Sequence, residues 1–215
     1  MFVERVVVGP YQTNCYILGE EKTDSCWIID PGNDAQEIIH CIEKHHVLPV
    51  AVLLTHTHWD HVTALPRIVA QYPGVEILVG REDASFLGKN AYAHFSQTIT
   101  DRSFLAAYKE ELMALPEPTA LLDEGQYLDD CHMKVMHTPG HTPGGVCFYH
   151  EEGQFLFSGD TLFASGIGRT DLYGGSYPEI IQSCHRILEL PDEVRILPGH
   201  GPDTTVGQEQ SNPYL

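Results

Sequence analysis

Short apolar runs alternate with amphipathic stretches over the first eighty residues. Strands are predicted by the apolar runs at residues 3–8, 14–18, 26–29, 50–54 and 76–79. Apolar positions at helical spacing predict helices over residues 35–46 and 64–71, and Asp34 is the expected N-cap of the first. Short turns between the first three strands favour antiparallel pairing. The alternation that follows predicts a partly parallel sheet covered by helices.

The second half of the chain repeats this pattern. Strands are predicted at residues 131–137, 145–149, 155–157 and 194–197, and a helix at 179–188. Between the halves, residues 82–124 are less regular, although one amphipathic helix is expected from Phe104 to Leu115. Two strand-rich halves, each with its own helices, predict one α/β sandwich domain over residues 1–215. Residues 86–124 are then either a lid or a structural insertion within it.

Charge and cysteine content narrow the classes of function. The 215 residues include 12 Lys and Arg against 30 Asp and Glu, and the formal net charge of −18 argues against a nucleic-acid partner. No apolar run is long enough for a membrane helix, and the N-terminus does not resemble a signal peptide. The six cysteines form no C-x-x-C pair, so we expect free thiols in the reducing cytoplasm. The sequence leaves the oligomeric state open.

The segment THTHWDH, from Thr55 to His61, follows a predicted buried strand directly. His56, His58, Asp60 and His61 supply imidazole and carboxylate groups, which are ligands that Zn²⁺ and similar ions accept. His56 and His58 would diverge on a helix, but they can converge on a loop. Four such groups are enough for two ions, or for one ion and a catalytic carboxylate.

Three more potential ligands follow later strands. His141 lies between two Pro-Gly turns, Asp160 follows a strand through Gly159, and His200 follows another in the segment PGHG. Each site has an apolar strand, a turn that contains glycine and then a metal-type side chain. Ligands at the ends of several strands are what a metal site in an α/β sheet requires.

The ordered motifs THTHWDH, TPGHTPG, SGDTLF and PGHG resemble those of the metallo-β-lactamase superfamily, from about Asn14 to the C-terminus. The segments GIGRTDLYGGS and GHGPDTT are most similar to the glyoxalase II-like hydrolases. The resemblance implies a four-layer αβ/βα sandwich. It also implies that His56, His58 and His141 bind one metal ion, that Asp60, His61 and His200 bind a second, and that Asp160 bridges both.

The resemblance further implies two divalent ions, with Zn²⁺ expected and Fe or Mn²⁺ as alternatives. Such a pair acidifies a bridging water to hydroxide and polarises a carbonyl, so no Ser or Cys nucleophile is needed. Asp60 is then the candidate for orienting the hydroxide and assisting proton transfer. We expect hydrolysis of a thioester such as hydroxyacylglutathione. One departure is that only residues 202–215 follow Gly201, where full-length glyoxalase II carries a helical domain that contributes to glutathione binding.

Other functions fit parts of the same pattern. A persulfide dioxygenase would hold one iron through residues that match His56, His141 and Asp160, but the complete second-metal set argues against it. A lactonase or another ester hydrolase of the superfamily remains an alternative. A secreted β-lactamase, an RNA-processing nuclease and a non-catalytic metal-stabilised domain are less consistent with the sequence.

The sequence context of several further residues also indicates their roles. Arg169 and Asp171 are expected to form a structural ion pair or to support the metal site. Trp59 either packs under its loop or faces substrate, and His137 is interpreted as a supporting or surface residue rather than a ligand. No function is expected for the histidines that lie in helix or strand contexts: His40, His45, His46, His132, His150 and His185.

Overall fold

The computed structural model describes residues 1–20 and 22–215, which form two compact units. The first unit comprises Met1–Val79 and Ala84–Leu121, and the second comprises Gly80–Asp83 and Leu122–Leu215. Among the described residues, no helix combines the length and apolarity needed to cross a bilayer. Each unit is described by itself below.

The first six-stranded sheet follows chain order, β1-β2-β3-β4-β5-β6. Its strands are β1 Phe2–Val8, β2 Thr13–Glu20, β3 Ser25–Ile29, β4 Leu48–Leu54, β5 Glu76–Gly80 and β6 Ala120–Leu122. β1, β2 and β3 pair antiparallel, as predicted, whereas β3, β4 and β5 pair parallel. The predicted partly parallel sheet is therefore confirmed. Parallel pairing places the C-terminal ends of β3 and β4 side by side.

The described residues of the first unit include six α-helices: α1 Ala35–Lys44, α2 Trp59–Val62, α3 Leu65–Gln71, α4 Ala91–Thr98, α5 Arg102–Ala107 and α6 Lys109–Met113. Ile38 and Ile42 of α1 and Leu65 of α3 are buried in one apolar core with strand residues. Phe95 of α4 and Leu112 of α6 join the same core. Residues of the irregular middle segment therefore contribute to the core of the first unit.

The prediction of one helix over residues 104–115 is wrong. This stretch forms two short helices, because Asp101 caps a helix that starts earlier and Tyr108 leaves helical geometry at φ −106° and ψ 15°. Asp34 is the N-cap residue of α1, as predicted, but it adopts a left-handed conformation and its side chain makes no capping hydrogen bond. Its carboxylate instead accepts a hydrogen bond of 2.8 Å from the backbone N–H of Gly9.

The second sheet has the order β14-β13-β10-β9-β8-β7. Its strands are β7 Tyr127–Leu128, β8 Met133–His137, β9 Val146–His150, β10 Phe155–Gly159, β13 Arg195–Pro198 and β14 Thr204–Thr205. A two-stranded ribbon is formed by β11 Leu162–Phe163 and β12 Gly166–Ile167, and the helices are α7 Tyr177–Leu188 and α8 Val206–Glu209. Ile180, Cys184 and Ile187 of α7 are buried against the apolar side chains of this sheet.

Strand directions place three strand ends at one edge of the second sheet. β8 and β10 are both antiparallel to β9, so they run parallel to each other. β13 pairs parallel with β10. The C-terminal ends of β8, β10 and β13 therefore point the same way, and each is followed by one of the predicted ligand loops.

The six cysteines are all buried and none forms a disulfide, which confirms the expected free thiols. Burial raises the pKa of Cys26, Cys131 and Cys184 to about 12. Thiols in this condition are protonated and weakly nucleophilic at neutral pH.

Candidate metal centre

The loop after β4 brings the four predicted ligands of the first unit together. We name His56, His58, Asp60 and His61 the loop cluster. His58 has an extended backbone and precedes α2, whose single turn contains Asp60 and His61. The ring of His56 lies 4.8 Å from that of His58 and 4.1 Å from that of His61, centroid to centroid. The Nε2 atom of His61 lies 3.7 Å from Oδ2 of Asp60.

Asp30 orients this cluster and was not predicted as a functional residue. It follows β3, is 1% exposed and adopts a positive φ of 51°. Its carboxylate accepts hydrogen bonds from the backbone N–H of Thr55 at 2.8 Å and from the Thr55 hydroxyl at 2.6 Å. The same carboxylate lies 3.0 Å from Nδ1 of His61. Such a partner fixes the imidazole and directs Nε2 towards a metal.

Two further contacts define the position of Asp60. The hydroxyl of Thr13, in β2, donates to Oδ2 of Asp60 at 3.3 Å. Gly32 packs so closely beneath α2 that a Cβ atom there would overlap the backbone carbonyl of Asp60. A glycine at this position therefore permits the close approach of the two loops. The Thr63 hydroxyl also donates to the carbonyl of Gly32.

The second unit brings the other three predicted ligands together. We name His141, Asp160 and His200, which follow β8, β10 and β13, the strand-end cluster. Oδ2 of Asp160 lies 3.5 Å from Nε2 of His141 and 3.5 Å from Nε2 of His200. The backbone N–H of Gly199 donates to the carbonyl of Gly159 at 2.8 Å, which holds two of the strand ends together.

Backbone contacts fix His141 in this cluster. Its Nδ1 lies 2.8 Å from the backbone carbonyl of Arg169. A carbonyl only accepts hydrogen bonds, so Nδ1 carries the proton and Nε2 keeps its lone pair. A Cβ atom at Gly168 would overlap the carbonyl of Asp160, so glycine is again required beside a predicted ligand. His137, interpreted as a supporting residue, donates from Nε2 to the carbonyl of Pro143 at 2.9 Å and so braces the same turn.

The side chains of Arg169 and Asp171 form the predicted ion pair. Two hydrogen bonds of 2.7 Å join them, and both side chains are largely exposed. The hydrogen bond to Arg169 lowers the pKa of Asp171 to about 2. The backbone carbonyl of Arg169 thus orients His141, and its guanidinium pairs with Asp171.

Trp59 packs within the first unit. Its ring lies 4.1 Å from that of Phe104 and 5.4 Å from that of Tyr108, centroid to centroid. Tyr11 contacts it edge-on at 4.8 Å. Trp59, between the predicted ligands His58 and Asp60, is thus packed against Phe104 of α5, which favours the packing role over an open, substrate-facing one.

The chain belongs to the metallo-β-lactamase superfamily, whose family model matches residues 8–200. Hydroxyacylglutathione hydrolase GloC of Haemophilus influenzae is 36% identical to this chain over 225 residues, and the alignment covers 100% of this chain and 98% of GloC. Among solved structures, the BLEG-1 B3 metallo-beta-lactamase superimposes with a TM-score of 0.85 at 33% identity, covering 100% of this chain and 99% of that one. TTHA1623, in a di-iron-bound form, gives a TM-score of 0.80 at 34% identity, covering 99% and 100%.

These similarities confirm the predicted metallo-β-lactamase fold. Membership also points to a metal-dependent hydrolase and supports metal binding by the histidine-rich clusters. The predicted superfamily is thus correct.

Proposed function

We propose that this protein is a glyoxalase II-like thioesterase that hydrolyses hydroxyacylglutathione or a closely related thioester. The carrying observation is the presence of both ligand clusters, each with its supporting contacts, in a chain of this superfamily. The similarity to GloC extends over the whole chain, which supports the choice of substrate class. The alignment also covers 98% of GloC, so the proposal rests on a relative with nearly the same span.

The residues of both clusters fit a pair of divalent ions. Every proposed ligand is an imidazole or a carboxylate, as borderline cations prefer. Asp30 and the Arg169 carbonyl hold His61 and His141 in the tautomer that leaves Nε2 available for coordination. We propose that one ion is bound by His56, His58 and His141, that the other is bound by Asp60, His61 and His200, and that Asp160 contributes to both.

When bound, the ions would supply an acidified water and would polarise the thioester carbonyl. Zn²⁺ is the ion that we expect, and the di-iron form of TTHA1623 supports iron as the alternative. Neither assignment changes the roles of the protein side chains.

Asp60 is the proposed catalytic carboxylate. Thr13 holds one of its oxygens, and the packing of Gly32 fixes its backbone. In this position the carboxylate orients the attacking water and accepts its proton. A thiolate leaves without full protonation, so the reaction needs no separate strong acid. Residues 86–124 are proposed to form part of the substrate wall, since Phe104 and Tyr108 already pack beside Trp59.

A second candidate activity is hydrolysis of β-lactam rings. BLEG-1, described as a B3 metallo-beta-lactamase, supports it through 33% identity over the whole chain. In this reaction, too, water attacks a carbonyl carbon, and the two activities differ in the leaving group.

Two measurements on protein purified without added metal test these proposals. One is turnover, and the other is the metal content per chain. S-lactoylglutathione, a cephalosporin, a lactone and glutathione persulfide are the four substrates, and oxygen uptake is recorded for the last. We expect about two metal ions per chain and the fastest turnover on S-lactoylglutathione. One iron per chain with oxygen uptake would establish the dioxygenase instead, and preferred cephalosporin turnover would establish the second candidate.

The variant Asp60→Ala should lose most of the thioesterase activity and bind the second ion more weakly. Asp171→Ala, which alters an exposed carboxylate, is the matched control and should retain activity. Unchanged turnover in Asp60→Ala would remove the catalytic role of that carboxylate.

A further inference from the structure

A separate group of metal-ligating side chains lies in the first unit, outside both clusters. Glu4 is in the edge strand β1, Cys41 is in the last turn of α1, and His45 directly follows that helix as its C-cap residue. One carboxylate oxygen, the sulfur and one imidazole nitrogen all lie within 4.8 Å of one another. The sequence alone predicts no function for His45.

Local geometry explains why these three side chains meet. Cys41 and His45 are four residues apart, so they project from the same face of the helix end. Phe2 and Glu4 are two residues apart in β1 and share one side of the strand. Phe2 stacks on the imidazole of His45 with a centroid distance of 4.2 Å and an interplanar angle of 21°. The ring is thereby held beside the carboxylate of Glu4.

His45 presents a nitrogen that the described residues do not satisfy. Its Nε2 is buried and has no hydrogen-bond partner within the described chain, and the nearest carboxylate oxygen, of Glu4, is 3.6 Å away. A buried polar atom in this condition calls for a ligand, because leaving it unsatisfied costs free energy. Cys41 is 8% exposed and lies on the same side.

Glu4 forms an ion pair with Lys44, which competes with a bound cation for its carboxylate. The ammonium of Lys44 lies 3.7 Å from Oε1 of Glu4, and both side chains are substantially exposed. Ion pairs of this kind contribute little to stability. The carboxylate can therefore turn towards a bound cation at small cost.

We propose that Glu4, Cys41 and His45 form a binding site for a thiophilic divalent cation of the Zn²⁺ class. Typical bond lengths place tetrahedral ligand atoms about 3.4 to 3.8 Å apart, so small rotations of the three side chains would complete the site. A water would occupy the fourth position. The Cys41 thiol transfers its proton to solvent as the sulfur–metal bond forms, and the sulfur ligand selects against Mg²⁺ and Ca²⁺.

Such a cation would link the edge strand β1 to the C-terminal end of α1. Its expected effect is structural: it restrains the first strand of the sheet and raises the unfolding midpoint of the loaded protein.

Cobalt distinguishes this site from the seven-residue centre, because only a thiolate ligand produces a sulfur-to-cobalt charge-transfer band. Neither the loop cluster nor the strand-end cluster contains sulfur. We expect Co²⁺ added in excess to the metal-depleted protein to produce this band, with a final intensity that corresponds to one thiolate-bound ion per chain. Metal content should fall by one equivalent in Cys41→Ala relative to the unaltered protein.

The matched control is Cys26→Ala, which removes another buried thiol of the same unit and should keep the band. Glu4→Gln should keep the band and weaken cobalt binding roughly tenfold or more, as expected when a contributing ligand is lost. Circular dichroism of each variant verifies that it is folded.

The absence of the band in the unaltered protein, or its persistence in folded Cys41→Ala, would overturn the proposal. The readout is a ligand-specific absorption and does not depend on turnover. Loss of the thioesterase proposal would therefore leave this one standing, and the reverse is also true.

Discussion

The loop cluster and the strand-end cluster supply the same kinds of side chain by different routes. His56, His58, Asp60 and His61 lie within one short segment, so one loop and one helical turn bring them together. The members of the strand-end cluster come from three loops and meet because β8, β10 and β13 end at one edge. The first arrangement depends on local geometry, and the second depends on correct assembly of a sheet.

The supports of the two clusters also differ. A buried side chain, Asp30, orients His61, whereas a backbone carbonyl, that of Arg169, orients His141. A side-chain support can be removed by one substitution. A backbone support changes only if the loop itself moves, so the two clusters should respond differently to mutation.

The largest effect is expected from Asp160→Ala, because Asp160 contacts both histidines of its cluster. We expect turnover of the preferred substrate to fall on the order of a thousandfold, corresponding to the several kcal/mol that metal ions contribute to catalysis. Steady-state kinetics and metal content provide the measurement. If Asp160→Ala retained both metal and turnover, the strand-end cluster would not be a ligand set.

The next effect concerns the two glycines that adjoin ligand residues, one in each unit. Alanine at Gly32 or Gly168 would place a Cβ atom against the backbone carbonyl of Asp60 or Asp160. Each substitution should lower the free energy of unfolding by about 1 to 3 kcal/mol, or more if the loop cannot shift. Chemical denaturation measures this change.

Gly166→Ala is the control for both glycine variants, because a Cβ there meets its nearest atom at an ordinary distance of 3.7 Å. Its stability should be close to that of the unaltered protein. Equal stability of all three variants would show that neither close approach is needed.

Asp30→Asn tests the support of the loop cluster. The substitution keeps the size of the side chain but removes the charge beside Nδ1 of His61. Metal affinity should fall roughly 10- to 100-fold, as is typical for the loss of such a partner. Competition with a chelator measures this loss, and Asp34→Asn, on the same loop but exposed, should show none. Unaltered affinity in Asp30→Asn would leave Asp30 with a purely structural role.

The two units share a raised pKa of their buried thiols, and the stability of the fold at alkaline pH tests it. Cys26 in the first unit and Cys131 and Cys184 in the second have a pKa of about 12 in the folded chain, against an ordinary value near 9. Between these values the folded chain holds more protons than the unfolded chain, so rising pH favours unfolding. Below about pH 8 the contribution is fully present, and above pH 9 each thiol should remove about 1.4 kcal/mol per pH unit.

Denaturation curves between pH 7 and 10.5 measure this loss, and Cys184→Ala should flatten the pH dependence. A thiol reagent applied at pH 8 should react slowly with the native protein and with all six thiols after unfolding. Rapid reaction of the native thiols would contradict their burial.

The smallest effect is expected from Arg169→Ala. Its guanidinium pairs with the exposed carboxylate of Asp171, and its backbone carbonyl lies against Nδ1 of His141. Turnover should stay within about twofold of the unaltered enzyme, and the unfolding midpoint should be almost unchanged. A large loss of activity would mean that the side chain supports His141 after all.

Periodicity predicted most of the regular structure, since the strands that precede the predicted ligands are apolar and are followed by glycine, proline or histidine. Periodicity could not predict the role of Asp30, because that role depends on the parallel pairing of β3 with β4 and on a positive φ. Periodicity also predicted one helix where Tyr108 separates α5 from α6. The sequence pattern around an isolated histidine such as His45 predicts no role, because that role depends on the position of β1 against the end of α1.

The sequence by itself determined the chemistry of this protein: which side chains have metal-ligand character, their order along the chain, and the strands they follow. These properties are local, so a pattern of residue types encodes them. The tertiary structure decided which nitrogen of His61 and of His141 faces a supporting oxygen, that the carboxylate of Asp30 is one of these supports, and where a thiol and an imidazole meet. Those outcomes depend on strand pairing and burial, which bring together residues that are far apart in the sequence.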